Sequence, residues 1–113
     1  MNAYGLSKCS TCQKALDWFA EQKIEVNFSD VKENPVTAKQ VASWAKALGG
    51  WEKLINRAGY TWRGLPEEAK TDLTAEGAVA LAVAHASLIR RPLIEHADGS
   101  VTVGFSDKVR AKF

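Results

Sequence analysis

The sequence predicts an α/β fold, in which helices cover a mixed four-stranded sheet and a helical segment is inserted in the middle. Three observations predict it: a strand–helix–strand pattern over residues 2–30, only helical patterns from 37 to about 85, and a hairpin followed by a helix at the end. With 113 residues, 46% of them hydrophobic and 25% charged, the chain can bury a core without metal or disulfide support. We expect one domain over residues 1–113.

The first unit of the pattern is a strand, a helix and a second strand. Residues 2–6 (NAYGL) form a short strand candidate, and residues 24–30 (IEVNFSD) alternate apolar and polar side chains as a strand does. The helix between them has its inner face spaced at three and four residues: Cys12, Ala15, Leu16, Phe19 and Ala20. This order predicts two parallel strands joined by a right-handed crossover.

The middle of the chain is predicted to be helical. Thr37 and Gln40 have the spacing of a capping box, and Gly49 and Gly50 end the helix that they begin. Three more helices are predicted after it: residues 51–59, closing at Gly59; residues 66–72, starting at Pro66; and a mostly buried helix from Thr74 to about His85.

The end of the chain returns to strands. After Pro92, residues 93–96 (LIEH) and 100–105 (SVTVGF) flank Asp98-Gly99, a two-residue hairpin signal. Ser106 is a candidate cap for a last helix through Phe113. The order βαβ, helices, ββα is that of a thioredoxin-like fold with a helical insertion.

The stretch YGLSKCSTCQKALDWF, residues 4–19, has two cysteines three apart where a loop becomes a helix. Cys9 lies at or just before the helix start, where free amides and the helix dipole stabilise an anion, and Lys8 and Lys14 add positive charge. Such a position lowers a thiol pKa from about 8.5 into the range of roughly 3.5–7.5. Cys9 is therefore the candidate nucleophile and Cys12 the candidate resolving thiol, at a separation that a disulfide can span.

Two other interpretations of the cysteines exist: a core role for Cys12, which stays open, and a zinc site, which is disfavoured. Cys12 on an apolar helix face can simply be a core residue, because free cysteine is among the most buried residue types. A zinc site wants about four ligands, whereas the chain has no second CxxC and its two histidines, His85 and His96, are isolated. No metal site is expected, and a CxxC that begins a helix after a strand favours redox chemistry.

Four segments, YGLSKCSTCQKA, LGGWEKLINRAGYTWRGL, SLIRRPLIE and VGFSD, together resemble the arsenate-reductase-like (ArsC/YffB/Spx) family from about Tyr4 to Phe113. The sequence is most similar to the small YffB-like members, which are regarded as glutathione-dependent thiol reductases. The resemblance implies that Cys9 is the reactive cysteine, that Thr11 is the family's threonine two positions later, and that Lys14 is a commonly basic position of the first helix.

The resemblance also implies an anion site. Arg91 matches the arginine before the family's cis-proline, here Pro92, and would hold an oxyanion or a glutathione carboxylate by a forked contact. The alternative for Arg90 and Arg91 is a solvated basic pair at a strand edge. Arg57 is the candidate for a second family arginine, displaced by one residue.

The departures from the family concern the substrate. Arsenate reductases of this family use three arginines, and Phe105 stands where the third would be; Gly5 replaces a histidine upstream of the reactive cysteine. Cys12 replaces the aliphatic residue usual in YffB-like members. Spx-type regulators carry a CxxC there as a redox switch, and they bind the C-terminal domain of RNA polymerase α.

These observations lead us to expect a cytosolic thiol–disulfide oxidoreductase, resolved by Cys12 or glutathione, with the amides of Ser10 and Thr11 stabilising the Cys9 thiolate. Ser10, Lys14, Arg57, Arg90 and Pro92 are the expected substrate- or anion-binding residues. We expect no tightly bound cofactor, glutathione as co-substrate, glutaredoxin or thioredoxin as further electron donors, and a monomer. The alternatives are arsenate reduction proper and an Spx-like regulator.

Net charge and hydropathy argue against binding to nucleic acid or membranes and against secretion. A net charge of +2 is too small to indicate a nucleic-acid or membrane partner, although arginines and lysines can still form a local anion site. The N-terminus has no signal-peptide pattern, and no apolar run approaches a membrane span, so a cytosolic location is expected.

Overall fold

The computed structural model describes all 113 residues and contains two compact units. The first unit combines Met1–Asn34 with Arg90–Phe113, and the second is the intervening segment Pro35–Ile89. The second unit is the helical insertion that the sequence predicts. The expectation of one domain over residues 1–113 stays a prediction.

The first unit is built on a four-stranded mixed sheet. Its strands are β1 (Asn2–Gly5), β2 (Asn27–Asp30), β3 (Leu93–Glu95) and β4 (Val101–Val103), in the order β2-β1-β3-β4. β1 runs parallel to β2 and antiparallel to β3, and β3 pairs antiparallel with β4. The predicted α/β, thioredoxin-like fold is confirmed.

Helix α1 (Ser10–Glu21) connects β1 to β2 and buries the face that carries Cys12, Ala15 and Phe19. Ala20, predicted on this face, is exposed. A short last helix, α7 (Asp107–Arg110), begins where the Ser106 hydroxyl accepts a hydrogen bond from the Val109 amide at 3.3 Å. The core of this unit is formed by buried side chains and partly buried ones packed on them: Ala3, Ala15, Phe19 and Ile94, with Met1, Trp18, Ile24, Val26, Phe28, Phe105 and Phe113.

Three predictions for the strands of this unit are wrong in part. β4 ends at Val103 rather than at Phe105, and Gly104 after it takes a φ of 79°. β2 begins only at Asn27, because Ile24 and Val26 pack against the core before the strand starts. The hairpin loop has three residues rather than two, since the His96 amide donates to the Ser100 carbonyl at 2.8 Å and residues 97–99 lie between them. Gly99 takes a φ of 89°, the left-handed conformation that closes a three-residue hairpin loop.

The second unit is helical. Its elements are α2 (Ala38–Leu48), α3 (Trp51–Leu54), α4 (Tyr60–Arg63), α5 (Glu67–Lys70), α6 (Ala75–Ala84) and a 3-10 turn (Ala86–Leu88). α2 packs against α3 and α6. The predicted capping box at the start of α2 is present in full, with Thr37 and Gln40 each bonding the other's amide at 3.0–3.1 Å.

Two helix predictions for the second unit are wrong in part, and one helix was not predicted. α3 ends at Leu54 instead of Gly59, because Ile55 leaves the helix to form a strand-like bridge with Ile89. Gly59 instead precedes α4, a helix that the sequence patterns did not indicate. α6 is less buried than its composition suggests: its buried residues are Ala78 and Ala82, and Val83 is 40% exposed. None of the helices is both long enough and apolar enough to cross a membrane.

Candidate active site

The turn between β1 and α1 places Cys9 at the start of the helix. The Cys9 amide donates to the Leu6 carbonyl at 3.0 Å, and the Cys9 carbonyl accepts the first helical hydrogen bond, from Gln13, at 3.0 Å. Cys9 is the N-cap residue of α1, with extended φ and ψ of −81° and 125°. Cys9 is partly exposed, so a substrate can approach it.

The surroundings of Cys9 favour its thiolate. Burial raises the pKa of the Cys9 thiol, but the Cys12 amide, the Cys12 side chain, the Arg91 side chain and the Thr11 amide together hold that pKa below its ordinary value. The Cys9 side chain makes no capping hydrogen bond of ordinary geometry, so the two amides stabilise its thiolate mainly by electrostatic attraction. Arg91 supplies a permanent positive charge.

One predicted role is corrected here. Thr11 contributes its amide as expected, but the second amide that acts on Cys9 is that of Cys12 and not that of Ser10. The reason is positional: an N-cap side chain faces the amides of the second and third helical residues, and Ser10 is the first. The Ser10 side chain is exposed.

Cys12 lies in the opposite kind of environment. It is 0% exposed, and burial, with the neighbouring Cys9 sulfur, raises the pKa of the Cys12 thiol to about 11. The thiol stays protonated at neutral pH and faces Cys9 as a hydrogen-bond donor. Gly5 makes room for it, since a Cβ at Gly5 would lie 2.5 Å from Cys12 Sγ. The two cysteines are not bonded to each other.

Arg91 and Pro92 stand at the entry to β3. The Arg91–Pro92 peptide bond is cis, as the family resemblance implies, and Pro92 is fully buried. Arg91 is partly buried and acts on the Cys9 sulfur, whereas Arg90 is exposed. Of the two arginines, Arg91 is therefore the one that the fold brings to Cys9.

The other residues singled out in the sequence have surroundings that do not include Cys9. Lys14 is exposed on α1. Arg57 belongs to the second unit, where its guanidinium lies 5.6 Å from the centre of the Trp51 ring. Phe105 is a packing residue, with its ring 5.6 Å from both the Trp18 and the Phe19 rings.

Metal-ligating side chains and cavities elsewhere in the chain do not involve Cys9. No three histidine, cysteine or carboxylate side chains come together as a metal-binding group. His96 shares a 2.8 Å hydrogen bond with Thr102, and His85 is exposed. A cavity of about 780 Å³ lies in the second unit, lined by residues of α2, α6 and the Gly49–Trp51 segment, and it contains none of the predicted site residues.

The sequence patterns missed a group of residues that fixes the turn before Cys9. The Asp30 carboxylate accepts hydrogen bonds from both the amide and the hydroxyl of Ser7, and the Gln13 side chain donates to the Ser7 carbonyl at 2.7 Å. A signal for this was present, because the carboxyl ends of parallel strands meet at one edge of a sheet. Asp30 ends β2 opposite Gly5, which ends β1.

This arrangement can carry out nucleophilic sulfur chemistry. A partly exposed thiol with a lowered pKa attacks a disulfide sulfur or another soft electrophile. The arginine beside it can hold an anionic group of the incoming molecule, and the buried neighbouring thiol remains protonated.

Comparison with known proteins gives one consistent result. Residues 4–113 match the model of the ArsC family. The chain is 32% identical over 108 residues to an uncharacterised protein of Haemophilus influenzae, covering 96% of this chain and 93% of that protein. It is 30% identical over 106 residues to YusI of Bacillus subtilis, covering 92% and 89%.

Solved structures agree with these relatives. The YFFB protein superposes with a TM-score of 0.89 at 35% identity, covering 98% of this chain and 96% of that one. An arsenate reductase (ArsC) related protein from Brucella melitensis gives a TM-score of 0.78 at 34% identity, covering 99% and 92%. These likenesses support an oxidoreductase function of the thiol-reductase kind.

Proposed function

The chain belongs to the ArsC family, and we propose that it is a cytosolic thiol–disulfide oxidoreductase in which Cys9 is the nucleophile and glutathione the reducing thiol. One observation carries the proposal: two cysteines three residues apart have opposite surroundings. Cys9 is accessible and has a lowered pKa, whereas Cys12 is buried and has a raised one. Such a difference is characteristic of a nucleophilic thiol beside a protonated one.

In the first step, the Cys9 thiolate attacks the glutathione sulfur of a mixed disulfide between glutathione and a second thiol. A new Cys9–glutathione disulfide forms, the old disulfide breaks, and the second thiol leaves as a thiolate that takes a proton from water. The substrate sulfur is reduced and Cys9 is oxidised, so the electrons balance.

In the second step, the thiolate of another glutathione attacks the glutathione sulfur bonded to Cys9. Oxidised glutathione leaves and the Cys9 thiolate is restored. Resolution by Cys12 would instead form a Cys9–Cys12 disulfide, which two further thiol equivalents must reduce. Burial, the largest cause of the raised Cys12 pKa, persists when Cys9 is bonded to glutathione and disfavours the Cys12 thiolate, so it favours the external thiol.

Positive charge supports glutathione as the thiol. Arg91 acts on the Cys9 sulfur and can pair with a glutathione carboxylate by a forked contact. Lys14 and Arg90 are exposed in the same unit, so each is a candidate for a further carboxylate contact. Arg57 is a candidate only because the family resemblance implies an arginine near its position. We propose a monomer without a tightly bound cofactor, with glutaredoxin or thioredoxin as further donors.

The test is turnover of a glutathione mixed disulfide, followed as formation of oxidised glutathione. We expect Cys9→Ser to abolish turnover and Cys12→Ser to retain glutathione-driven turnover, because the serine hydroxyl can still donate to Cys9. Mass spectrometry of the reacted wild-type protein should find one glutathione attached to Cys9. Equal turnover by Cys9→Ser and the wild type would refute the proposal.

Arsenate reduction proper is a second candidate, favoured by the position of Arg91 beside Cys9 and by the arsenate-reductase-related protein of Brucella melitensis. Against it, the side chain at Phe105 is apolar and packed among aromatic rings. Arsenate-dependent oxidation of glutathione, absent in Cys9→Ser, would establish this activity.

A further inference from the structure

The turn that delivers Cys9 is held at one residue, Ser7, from two sides. The Asp30 Oδ2 atom accepts the Ser7 amide at 2.9 Å and also the Ser7 hydroxyl. On the other side, Gln13 Nε2 donates to the Ser7 carbonyl at 2.7 Å. All three polar groups of Ser7 are thus bonded, although Ser7 itself is exposed.

Both holding residues sit on regular structure. Asp30 is the last residue of β2 and pairs in register with Gly5, and the Val31 amide donates to the Gly5 carbonyl at 2.9 Å. Gln13 lies in the first turn of α1. The Asp30 Oδ1 atom accepts the Lys32 amide at 2.8 Å, so the carboxylate serves three donors with two oxygens. These bonds draw the pKa of Asp30 down to about 2, chiefly through the Ser7 hydroxyl, and the group is charged at any ordinary pH.

The held turn is coupled to the reactive sulfur through the backbone. Cys9 is two residues after Ser7, and its amide is bonded to the Leu6 carbonyl at 3.0 Å. The Leu6 amide in turn acts on the Cys12 sulfur. A shift of the turn therefore moves Cys9 relative to the amides of α1 and relative to Cys12.

We propose that Asp30 and Gln13 are positioning residues for the reaction of Cys9: they clamp Ser7 and thereby keep the Cys9 sulfur over the first turn of α1. Neither residue is needed to touch the substrate. The inference rests on the proposed function only for its turnover readout, because the position of Cys9 can be read from its reactivity alone.

The experiment compares Asp30→Asn with a matched control, Asp98→Asn. Asp98 makes the same kind of contact, accepting the amide and the hydroxyl of Ser100 at 2.9 and 2.6 Å, but in the β3–β4 hairpin. Asparagine has one acceptor oxygen, so in Asp30→Asn either the Ser7 donors or the Lys32 amide must face the new NH2 group. In Asp98→Asn the remaining oxygen can still accept both Ser100 donors, so the control removes the charge and keeps the contact. Iodoacetamide alkylation of Cys9 against pH gives its apparent pKa, and steady-state kinetics with a glutathione mixed disulfide give kcat and KM.

We expect Asp30→Asn to raise the apparent pKa of Cys9 toward about 8.5, and to lower kcat by about tenfold with little change in KM. A misplacement of reacting groups by 1 Å can cost about 10²-fold, so tenfold corresponds to a smaller shift. Gln13→Ala should act in the same direction, and the double variant should lose less than the product of the two single losses, because both act on one turn. Asp98→Asn should leave the alkylation profile at the wild-type position.

An alkylation profile of Asp30→Asn that matches those of the wild type and Asp98→Asn would overturn the inference. If Asp30→Asn does not fold, Ser7→Ala removes the hydroxyl contact alone and should give a smaller shift of the same sign; no shift would again overturn it. If the wild type shows no turnover, the proposed function fails, but the alkylation comparison still decides the role of Asp30.

Discussion

Replacing Gly5 with alanine tests the packing around the buried Cys12 thiol. A Cβ at Gly5 would lie 2.5 Å from Cys12 Sγ and 3.4 Å from Phe28 Cε1, and Cys12 has no exposed surface toward which it could move freely. Carbon contacts are optimal at about 3.5–4.0 Å. Overpacking of this kind costs about 1–3 kcal/mol in the free energy of unfolding, which lowers Tm by about 4 °C or more.

The assay is a double-mutant cycle by thermal and urea unfolding of the wild type, Gly5→Ala, Cys12→Ala and the double variant. Removing the sulfur makes room for the new methyl group, so we expect Gly5→Ala to cost at least about 1 kcal/mol less in the Cys12→Ala background. Gly64→Ala is the control, because its φ is −80° and its Cβ would lie 3.4 Å from the Tyr60 carbonyl; its effect should stay within about 0.5 kcal/mol. An equal cost of Gly5→Ala with and without Cys12 would refute the packing argument.

Three further predictions concern single side chains. The Cys12 thiol has a pKa of about 11 in the folded protein and of about 9.0 in the unfolded chain, so the free energy of unfolding falls as pH rises from 9 through 11. The Tm of the wild type should therefore fall more over this range than the Tm of Cys12→Ala. Arg91→Met should raise the apparent pKa of Cys9 in alkylation and Arg91→Lys should raise it less, and unchanged profiles would exclude a role for the guanidinium. Phe105→Ala should lower the free energy of unfolding by about 2–3 kcal/mol in urea, because it removes a partly buried ring that packs against Trp18 and Phe19. A loss below about 0.5 kcal/mol would show that these ring contacts contribute little to stability.

Features with a local cause were predictable from the sequence. The caps at Thr37, Thr74 and Ser106 are correct because a capping side chain bonds an amide only two or three residues away. Gly59 was misassigned because glycine is compatible with either end of a helix, and only the bridge between Ile55 and Ile89 decides where α3 ends.

Lengths and burial that depend on distant partners were not predictable. The hairpin signal at Asp98-Gly99 is correct, but the loop length is set by the pairing of His96 with Ser100. The apolar composition of α6 suggested a mostly buried helix, yet alanine is small and apolar wherever it lies, and composition does not say how much of a helix is covered.

In the candidate site, too, local features were predictable from the sequence and long-range contacts were not. The position of Cys9 at the helix start and the burial of Cys12 follow from spacing within one helix. The contact of Asp30 with Ser7 joins residues 23 positions apart and depends on the parallel register of β1 and β2. The predicted parallel strands indicate that their carboxyl ends meet, but no periodicity in the sequence shows which side chains bond there.

The two cysteines of the CSTC motif have different surroundings, and this difference determines how each can react. Cys9, as N-cap residue, is in reach of solvent and of helix amides, whereas Cys12, three residues later, points into the core beside Gly5. The route through Cys12 requires removing a proton from a buried thiol, whose burial raises its pKa, so its rate should rise with pH. The external-thiol route depends on a solvated thiol of ordinary pKa and is available at neutral pH. For the proposed reaction we therefore expect a monothiol cycle at neutral pH, with a Cys9–Cys12 disulfide competing only when external thiol is scarce or the pH is high.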